Sequence, residues 1–234
     1  MSATAPHDAT TPRFFGRRKG KPLRQAGRGL MDSLLPRLAI AEPAPGQCLD
    51  TAALFPAPCR ALWLEVGFGG GEHLAWQAAH HPDVGIIGGE VFRNGIASLL
   101  GHLDRGGTTG NVRIFPEDVR RLFPALPDAC FERVFVLFPD PWPKTRHAER
   151  RFIGGANLDQ LARLLTDGGE LRIGTDDAVY KAWAVEQMAA RAEFEEISTD
   201  RSVKPADWPQ SRYEAKAIAQ GRTPIYLRYR RKPR

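Results

Sequence analysis

Short apolar runs alternate with longer amphipathic stretches along most of the chain. Buried strands are predicted over residues 61–66, 84–89, 112–115, 133–138 and 170–175. Helices are predicted over residues 72–80, 92–104, 157–166 and 178–191, and runs at 194–197 and 225–229 predict a closing hairpin. Strands that alternate with helices form parallel sheets. The pattern therefore predicts an α/β fold with a doubly wound, Rossmann-like sheet of about seven strands, mostly parallel with an antiparallel last strand.

The pattern changes before residue 61. Residues 1–45 predict a basic, largely flexible N-terminal arm, with a short helix at 31–40, and residues 46–60 predict a linker into a domain at 61–234. Six cations surround Phe14 and Phe15 between Arg13 and Arg24. This segment suits either an arm that binds a phosphate backbone or a solvated basic tail, and both interpretations stay open.

A glycine-rich turn follows the first strand. Gly67, Gly69 and Gly71 allow the backbone to turn sharply and leave no side chain between it and a ligand. The dinucleotide fingerprint needs a further glycine where this chain has Glu72, so the spacing is G-x-G-x-G. Glu65 and Glu72 flank a turn without Lys or Arg. An acidic turn disfavours a pyrophosphate and favours S-adenosylmethionine, which carries a sulfonium and an amine.

Acidic residues also follow the next strands. Glu90 ends the second strand, where a carboxylate is placed to accept hydrogen bonds from ribose hydroxyls, and Glu117 or Asp118 follows the third, where one of them could accept from an adenine amine. The fourth strand runs into Pro139-Asp140-Pro141-Trp142-Pro143-Lys144. Three prolines in five residues fix this backbone. We expect Asp140 and Lys144 to be held rigidly at the edge of the sheet where ligands bind.

Composition narrows the choice of partners. Lys and Arg number 33 against 27 Asp and Glu, a net charge of +6 that favours a polyanionic partner. Cys48, Cys59 and Cys130 have no C-x-x-C spacing and the histidines form no cluster, so neither a disulfide framework nor a metal site is expected. His147 is the only histidine beside a candidate site. The chain has no recognisable signal peptide and no long apolar span, which favours a cytoplasmic protein without membrane contact.

Several motifs occur together in a characteristic order. They are LEVGFGGGEHL, GGEVF, PED, FPDPWPKTRHAERR, GTDD and SRYE. This combination resembles the bacterial tRNA (guanine-N7-)-methyltransferase family, part of the class I methyltransferases, from about Leu62 to the C-terminus. The PDPWPK loop is the most specific part, since the glycine turn alone indicates only the wider class.

The resemblance implies a cofactor, a substrate and residue roles. It implies S-adenosylmethionine as the methyl donor, no metal, and tRNA as the partner, with a guanosine of the variable loop (guanosine-46) as the target. The chain would act as a monomer or weak homodimer. By this resemblance cofactor binding falls on Glu65, Gly67, Gly69, Glu90, Asp118 and Asp140, catalysis on Asp140, and tRNA binding on Lys144, Asp176, Ser211, Arg212, Tyr213 and Glu214.

The residue types suit this chemistry independently. Guanine N7 has an in-plane lone pair and no proton, so its attack on a sulfonium methyl needs no general base. The attack does need collinear placement of N7 and the methyl group, which lowers the activation barrier by up to about 7–11 kcal/mol. The product ring is cationic, so Asp140 would stabilise developing charge. Glu214 or Asp176 could accept from guanine N1-H and the exocyclic amine.

Three alternatives stay open from the sequence. A class I methyltransferase for a small molecule or a protein would show a hydrophobic pocket and lack the basic segments at 13–24, 144–151 and 228–234, whereas one for another RNA would keep them. A non-catalytic RNA-binding relative would have lost the acids and the glycine turn. A dinucleotide oxidoreductase is disfavoured by Glu72.

Overall fold

A central seven-stranded sheet organises the computed structural model, which describes residues 14–234. Residues 1–13, including the predicted contact residue Arg13, lie outside the described part. The strands are β1 (Ala61–Val66), β2 (Val84–Gly89), β3 (Val112–Phe115), β4 (Phe131–Leu137), β5 (Leu165–Thr175), β6 (Phe194–Glu196) and β7 (Ile225–Arg231). Their order in the sheet is β3-β2-β1-β4-β5-β7-β6, and β7 runs antiparallel to both of its neighbours. The predicted fold class is confirmed.

Helices cover both faces of this sheet. They are α1 (Gln25–Ser33), α2 (Leu35–Leu38), α3 (Glu72–His80), α4 (Arg93–Gly106), α5 (Gly155–Leu164), α6 (Ala178–Ala189) and α7 (Arg212–Ala219). Alternate strand residues point to opposite faces, so neighbours such as Trp63 and Leu64 belong to different hydrophobic clusters. Both side chains are almost fully buried. The sheet is thus covered on both sides, as the continuous apolar strands predicted.

The segment that precedes the linker differs from the expected flexible arm. α1 begins at Gln25, before the helix predicted at 31–40, and Leu30, Leu34 and Leu38 join the cluster that contains α4. A spacing of four places these three side chains on one helix face. Ile40 then donates its backbone N–H to the carbonyl of Ile114 at 2.8 Å. Residues 25–40 therefore pack on the domain, because a short apolar stripe is present within the basic composition.

The junction between α5 and β5 differs from the expectation. α5 ends at Leu164 and β5 begins at the next residue, where the helix was expected to continue to residue 166. Leu165 pairs with Phe131 at the start of β4, so this residue belongs to the sheet and the helix ends before it. α7 was not among the helices predicted from the sequence. None of the helices between residues 14 and 234 is long and apolar enough to cross a bilayer.

Candidate active site

The carboxyl ends of β1 to β4 border a cavity of about 530 Å³. The sheet order β3-β2-β1-β4 sets the order of the acids that follow these strands. From one side of the cavity to the other they are Asp118, Glu90, Glu65 and Asp140, and all four line it. Parallel strands bring their carboxyl ends to one edge, so the sequence could predict this meeting of distant residues.

The glycine turn forms the floor of the cavity beside Glu90. Gly67, Gly69 and Gly71 have φ values of +66°, +55° and +79°, a left-handed conformation that other residues adopt only with strain. The backbone N–H of Gly69 donates to Glu90 Oε2 at 2.8 Å. The turn and the end of β2 are therefore held together by the side chain that the sequence assigned to ribose.

Glu90 accepts hydrogen bonds from three backbone amides. Besides Gly69, the N–H groups of Val91 and Phe92 donate to its Oε1, each at 2.8 Å. Burial raises the pKa of this carboxyl above its ordinary value, although the three amides oppose the shift. Glu90 is thus a preorganised acceptor whose position is fixed before any ligand arrives.

The acids after β3 already have cationic partners. Asp118 accepts from the backbone N–H of Arg120 at 3.1 Å and from its guanidinium Nη2 at 2.5 Å. Glu117 accepts from Arg18 Nη1 at 2.7 Å. Both acids line the cavity, so the structure leaves both as candidates for contact with an adenine.

Asp140 lies on a strained loop. Phe138 and Trp142, two residues to either side, have φ values of +50° and +42°. Such values cost free energy in residues other than glycine and persist only where the surroundings impose them. The Asp140 side chain is exposed, and no hydrogen bond or ion pair to it is recorded among residues 14–234. The loop thus presents at the rim of the cavity a carboxylate that is unpaired within the described part of the chain.

Arg151 holds this loop from below. It is 7% exposed, and its guanidinium donates to the carbonyl oxygens of Pro141, at 3.1 Å, and Trp142, at 3.0 Å. Its guanidinium also lies 4.7 Å from the centre of the Trp183 ring. In the sequence, Arg151 belongs to the basic segment at 144–151. The structure gives it a structural role, because the carbonyls of Pro141 and Trp142 lie outside any strand and need a donor.

Replacement of Arg151 by Met tests this role. The methionine keeps much of the apolar stem but removes both hydrogen bonds, so we expect the strained loop to relax and kcat to fall about 10- to 100-fold. Steady-state kinetics and thermal unfolding measure the two effects. Arg163→Met is the matched control, since Arg163 also donates to two carbonyls, those of Phe123 and Leu126, away from the cavity. An equal loss of kcat in both variants would contradict the assignment.

The segment 14–21 lies over the mouth of the cavity. Phe14, Phe15 and Arg17 line the cavity, and the Phe15 ring meets Trp142 edge to face at 6.2 Å. The Arg150 guanidinium lies 4.3 Å from the centre of the Phe15 ring. Gly20 donates its N–H to Asn94 Oδ1 at 2.9 Å. The basic arm is therefore attached at the site from residue 14 onward, which its composition did not predict.

The segment that opens α7 reaches the cavity from the other side. Ser211 caps the helix, and Arg212 donates to Glu72 Oε1 at 2.8 Å. The Tyr213 ring covers the glycine turn so closely that a Cβ at Gly69 would lie 2.9 Å from it. Burial and the charge of Glu90 raise the pKa of Tyr213. Ser211 and Tyr213 thus belong to the site.

Glu214 does not present its carboxylate to a ligand. The residue is fully buried, and its carboxylate accepts from the Tyr226 hydroxyl at 2.5 Å and pairs with Lys204 at 3.3 Å. It also completes the capping box with Ser211. The expectation that Glu214 accepts from a guanine is corrected: S-x-x-E is here a helix-start signal, which the sequence already contained.

The two other predicted tRNA contacts lie outside the cavity. Asp176 forms an ion pair with Arg222 at 2.6 Å, so its carboxylate already has a partner within the protein. Lys144 is exposed beside the cavity and does not line it. The structure therefore brings together the cofactor set and part of the tRNA set.

The C-terminal cations were expected to form part of a basic surface. Instead, Arg228 donates to Glu170 Oε1 at 2.5 Å, Arg231 to the carbonyl of Ala162 at 2.9 Å, and Arg234 to Asp167 Oδ1 at 2.5 Å. These contacts attach β7 and the chain end to β5 and α5. Three of the cations at 228–234 therefore have structural partners.

His73 is a site residue that sequence analysis missed. It lines the cavity, is 2% exposed, and its Nδ1 lies 2.7 Å from Glu65 Oε2. From the sequence, His147 was the only histidine expected beside a candidate site. The available signal was its place in the first turn of a helix that follows the glycines, one residue after Glu72. Within residues 14–234, no group of three or more metal-binding side chains is arranged to hold a metal ion.

The chain is similar in sequence to known methyltransferases. Residues 60–227 match the family model Methyltransf_4, described as "Putative methyltransferase". The tRNA (guanine-N(7)-)-methyltransferase of Paramagnetospirillum magneticum is 59% identical over 97% of this chain and 95% of that protein. This chain belongs to the tRNA (guanine-N(7)-)-methyltransferase family. The family member from Rhodospirillum rubrum is 54% identical over 95% of this chain and 89% of its own length.

A solved structure supports the fold at greater distance. The 16S rRNA (adenine(1408)-N(1))-methyltransferase from Catenulisporales acidiphilia aligns with a TM-score of 0.54 over 83% of this chain and 96% of that chain, at 16% identity. At this identity the likeness concerns the fold alone. It agrees with the class I methyltransferase architecture that the sheet order shows.

Proposed function

We propose that this protein transfers a methyl group from S-adenosylmethionine to N7 of a guanosine in tRNA, with guanosine-46 of the variable loop as the target. The observation that carries the proposal is the row of four carboxylates along one sheet edge, which ends at Asp140 on its strained loop. The relatives' names support the same reaction.

The donor set fits S-adenosylmethionine. The order Asp118, Glu90, Glu65, Asp140 along the cavity matches the order of the adenine amine, the ribose hydroxyls and the positively charged methionine part. No Lys or Arg lies in the glycine turn, where a dinucleotide would place its pyrophosphate. The bound cofactor supplies a methyl group made electrophilic by the adjacent sulfonium.

The protein's part in the reaction is placement and charge. Glu90 is fixed by three amides and so holds a ribose without reorganisation, while Tyr213 covers the glycine turn. Asp140 needs to remove no proton, because guanine N7 carries none. Its negative charge, unpaired among the described residues and held on a strained loop, stabilises the positive charge that develops on the guanine ring.

The exposed cations nearest the cavity are the proposed tRNA contacts. Lys144 and Arg146 are exposed on the loop after Asp140, and Arg17 and Lys19 are exposed on the segment that covers the cavity. Together they flank the cavity mouth with positive charge. Cations in such positions neutralise phosphates and orient a nucleic acid without reading its sequence.

Salt dependence separates these cations from the structural ones. The double variant Lys144→Ala/Arg146→Ala should weaken tRNA binding and reduce the slope of log K against log salt by about one per cation removed. Lys232→Ala is the matched control. Lys232 is exposed, and because it follows the antiparallel β7 it lies at the opposite edge of the sheet. An unchanged slope in the double variant, or an equal change in the control, would contradict this surface.

Methyl transfer to unmodified tRNA tests the proposed function directly. The protein is incubated with labelled S-adenosylmethionine and a tRNA transcript, and the product is cleaved chemically at N7-methylguanosine. We expect one labelled position, at guanosine-46, and no label in a transcript with adenosine there. Label at another atom of the transcript would contradict the proposal, and no label in tRNA while a parallel reaction labels ribosomal RNA would favour a methyltransferase for another RNA.

A further inference from the structure

Glu65 is a buried acid with one partner. Its side chain is 3% exposed, and its Oε2 lies 2.7 Å from His73 Nδ1. No second hydrogen bond to Glu65 is recorded among the described residues, although the residue lines the cavity. Burial of a carboxylate is costly unless its oxygens are satisfied. One oxygen is satisfied by the protein, which leaves the other for a ligand.

Gln77 fixes which nitrogen of His73 carries the proton. Gln77 Nε2 donates to the carbonyl of Asp207 at 2.8 Å and lies 3.1 Å from His73 Nε2. A carbonyl can only accept, so this end of Gln77 is the NH₂ group, and His73 Nε2 must accept from it. The ring proton is therefore on Nδ1, where it is donated to Glu65.

The far end of this chain of hydrogen bonds is rigid. The Asp207 carboxylate accepts from Arg172 Nη1 and Nη2, each at 2.9 Å, and Arg172 is itself 2% exposed. The His73 ring packs edge to face on Phe135 at 4.7 Å and on Trp208 at 6.3 Å. The imidazole can neither rotate nor shift without disturbing the core.

We infer that His73 is a positioning residue that, held by Gln77, aims the free oxygen of Glu65 at the α-amine of the cofactor. A fixed acceptor binds a cation more tightly than a mobile one, since no rotamer freedom is lost on binding. The inference rests on the proposed function, because it requires a ligand with an amine at this end of the cavity. His73 itself touches no reacting atom.

Two ligands that differ at the amine provide the test. S-Adenosylhomocysteine carries the α-amine, and 5′-methylthioadenosine has the same nucleoside without it. In calorimetric titrations, His73→Phe should weaken S-adenosylhomocysteine binding about 10- to 100-fold and change methylthioadenosine binding by less than about threefold. His73→Asn should restore most of the loss, because its amide NH₂ replaces the Nδ1 donor. In steady-state assays His73→Phe should raise KM for the cofactor more than it lowers kcat.

Each outcome decides between the possible roles. If His73→Phe weakens both ligands equally, His73 only supports the fold and the inference is overturned. If His73→Phe leaves S-adenosylhomocysteine binding intact while Glu65→Gln weakens it, the inference fails but the cofactor site stands. If Glu65→Gln itself has no effect on S-adenosylhomocysteine binding, the proposed cofactor placement fails instead.

Discussion

Replacement of Asp140 by Ala should lower the rate of methyl transfer about 100- to 1000-fold, the range measured when one preorganised electrostatic group is removed from an active site. The side chain is exposed and has no recorded hydrogen bond or ion pair within residues 14–234. Its removal therefore costs the folded protein little. Under the proposed function, the substitution removes the negative charge that stabilises the developing guanine cation. A single-turnover measurement at saturating cofactor and tRNA isolates this step.

Asp140→Asn separates charge from shape. The amide keeps the size of the side chain and can still accept a hydrogen bond, so an electrostatic role predicts a loss close to that of Asp140→Ala. Near-normal transfer by the Asn variant would instead indicate a neutral contact. Glu149→Ala is the matched control, since Glu149 is an exposed acid that follows on the same loop and forms a long ion pair of 3.8 Å with Arg150. Its rate should stay within about threefold of the wild type.

The parts of the site that depend on local signals could be predicted from the sequence. β1, β2, β3 and α3 have the expected boundaries, because buried apolar runs, glycines and a proline mark their ends. Acids at strand ends meet in any parallel sheet. The meeting of Glu65, Glu90 and Asp140 at one cavity could therefore be expected from their positions at the strand ends.

The roles that depend on distant partners could not be predicted. Arg151 belongs to a cation-rich loop in the sequence, and only the fold brings it under the carbonyls of Pro141 and Trp142. Arg228 and Arg231 likewise donate hydrogen bonds to residues of β5 and α5. Charge is a property of composition, whereas its availability depends on which elements pack together.

Glu90→Ala should abolish most cofactor affinity. Each hydrogen bond from a ribose hydroxyl to this carboxylate contributes about 1.5–3 kcal/mol to the binding free energy. Loss of two such bonds should raise the dissociation constant at least about 100-fold. The three amides that Glu90 now accepts from would lose their partner, so the glycine turn should also loosen. Calorimetric titration with S-adenosylhomocysteine measures the affinity, and thermal unfolding without ligand measures the loss of stability.

A 2′-deoxy analogue and the pH dependence show whether the lost interaction is the ribose contact. The wild type should bind the analogue more weakly than the parent ligand, and Glu90→Ala should not distinguish the two. Burial raises the pKa of Glu90, and the hydroxyls bind its ionised form more strongly. As pH falls through that raised pKa, wild-type affinity should decrease, beginning at a higher pH than an exposed glutamate would cause. Glu90→Ala should lack this decrease of affinity at low pH. If the variant kept both the decrease and the preference for the parent ligand over the 2′-deoxy analogue, another residue would hold the ribose.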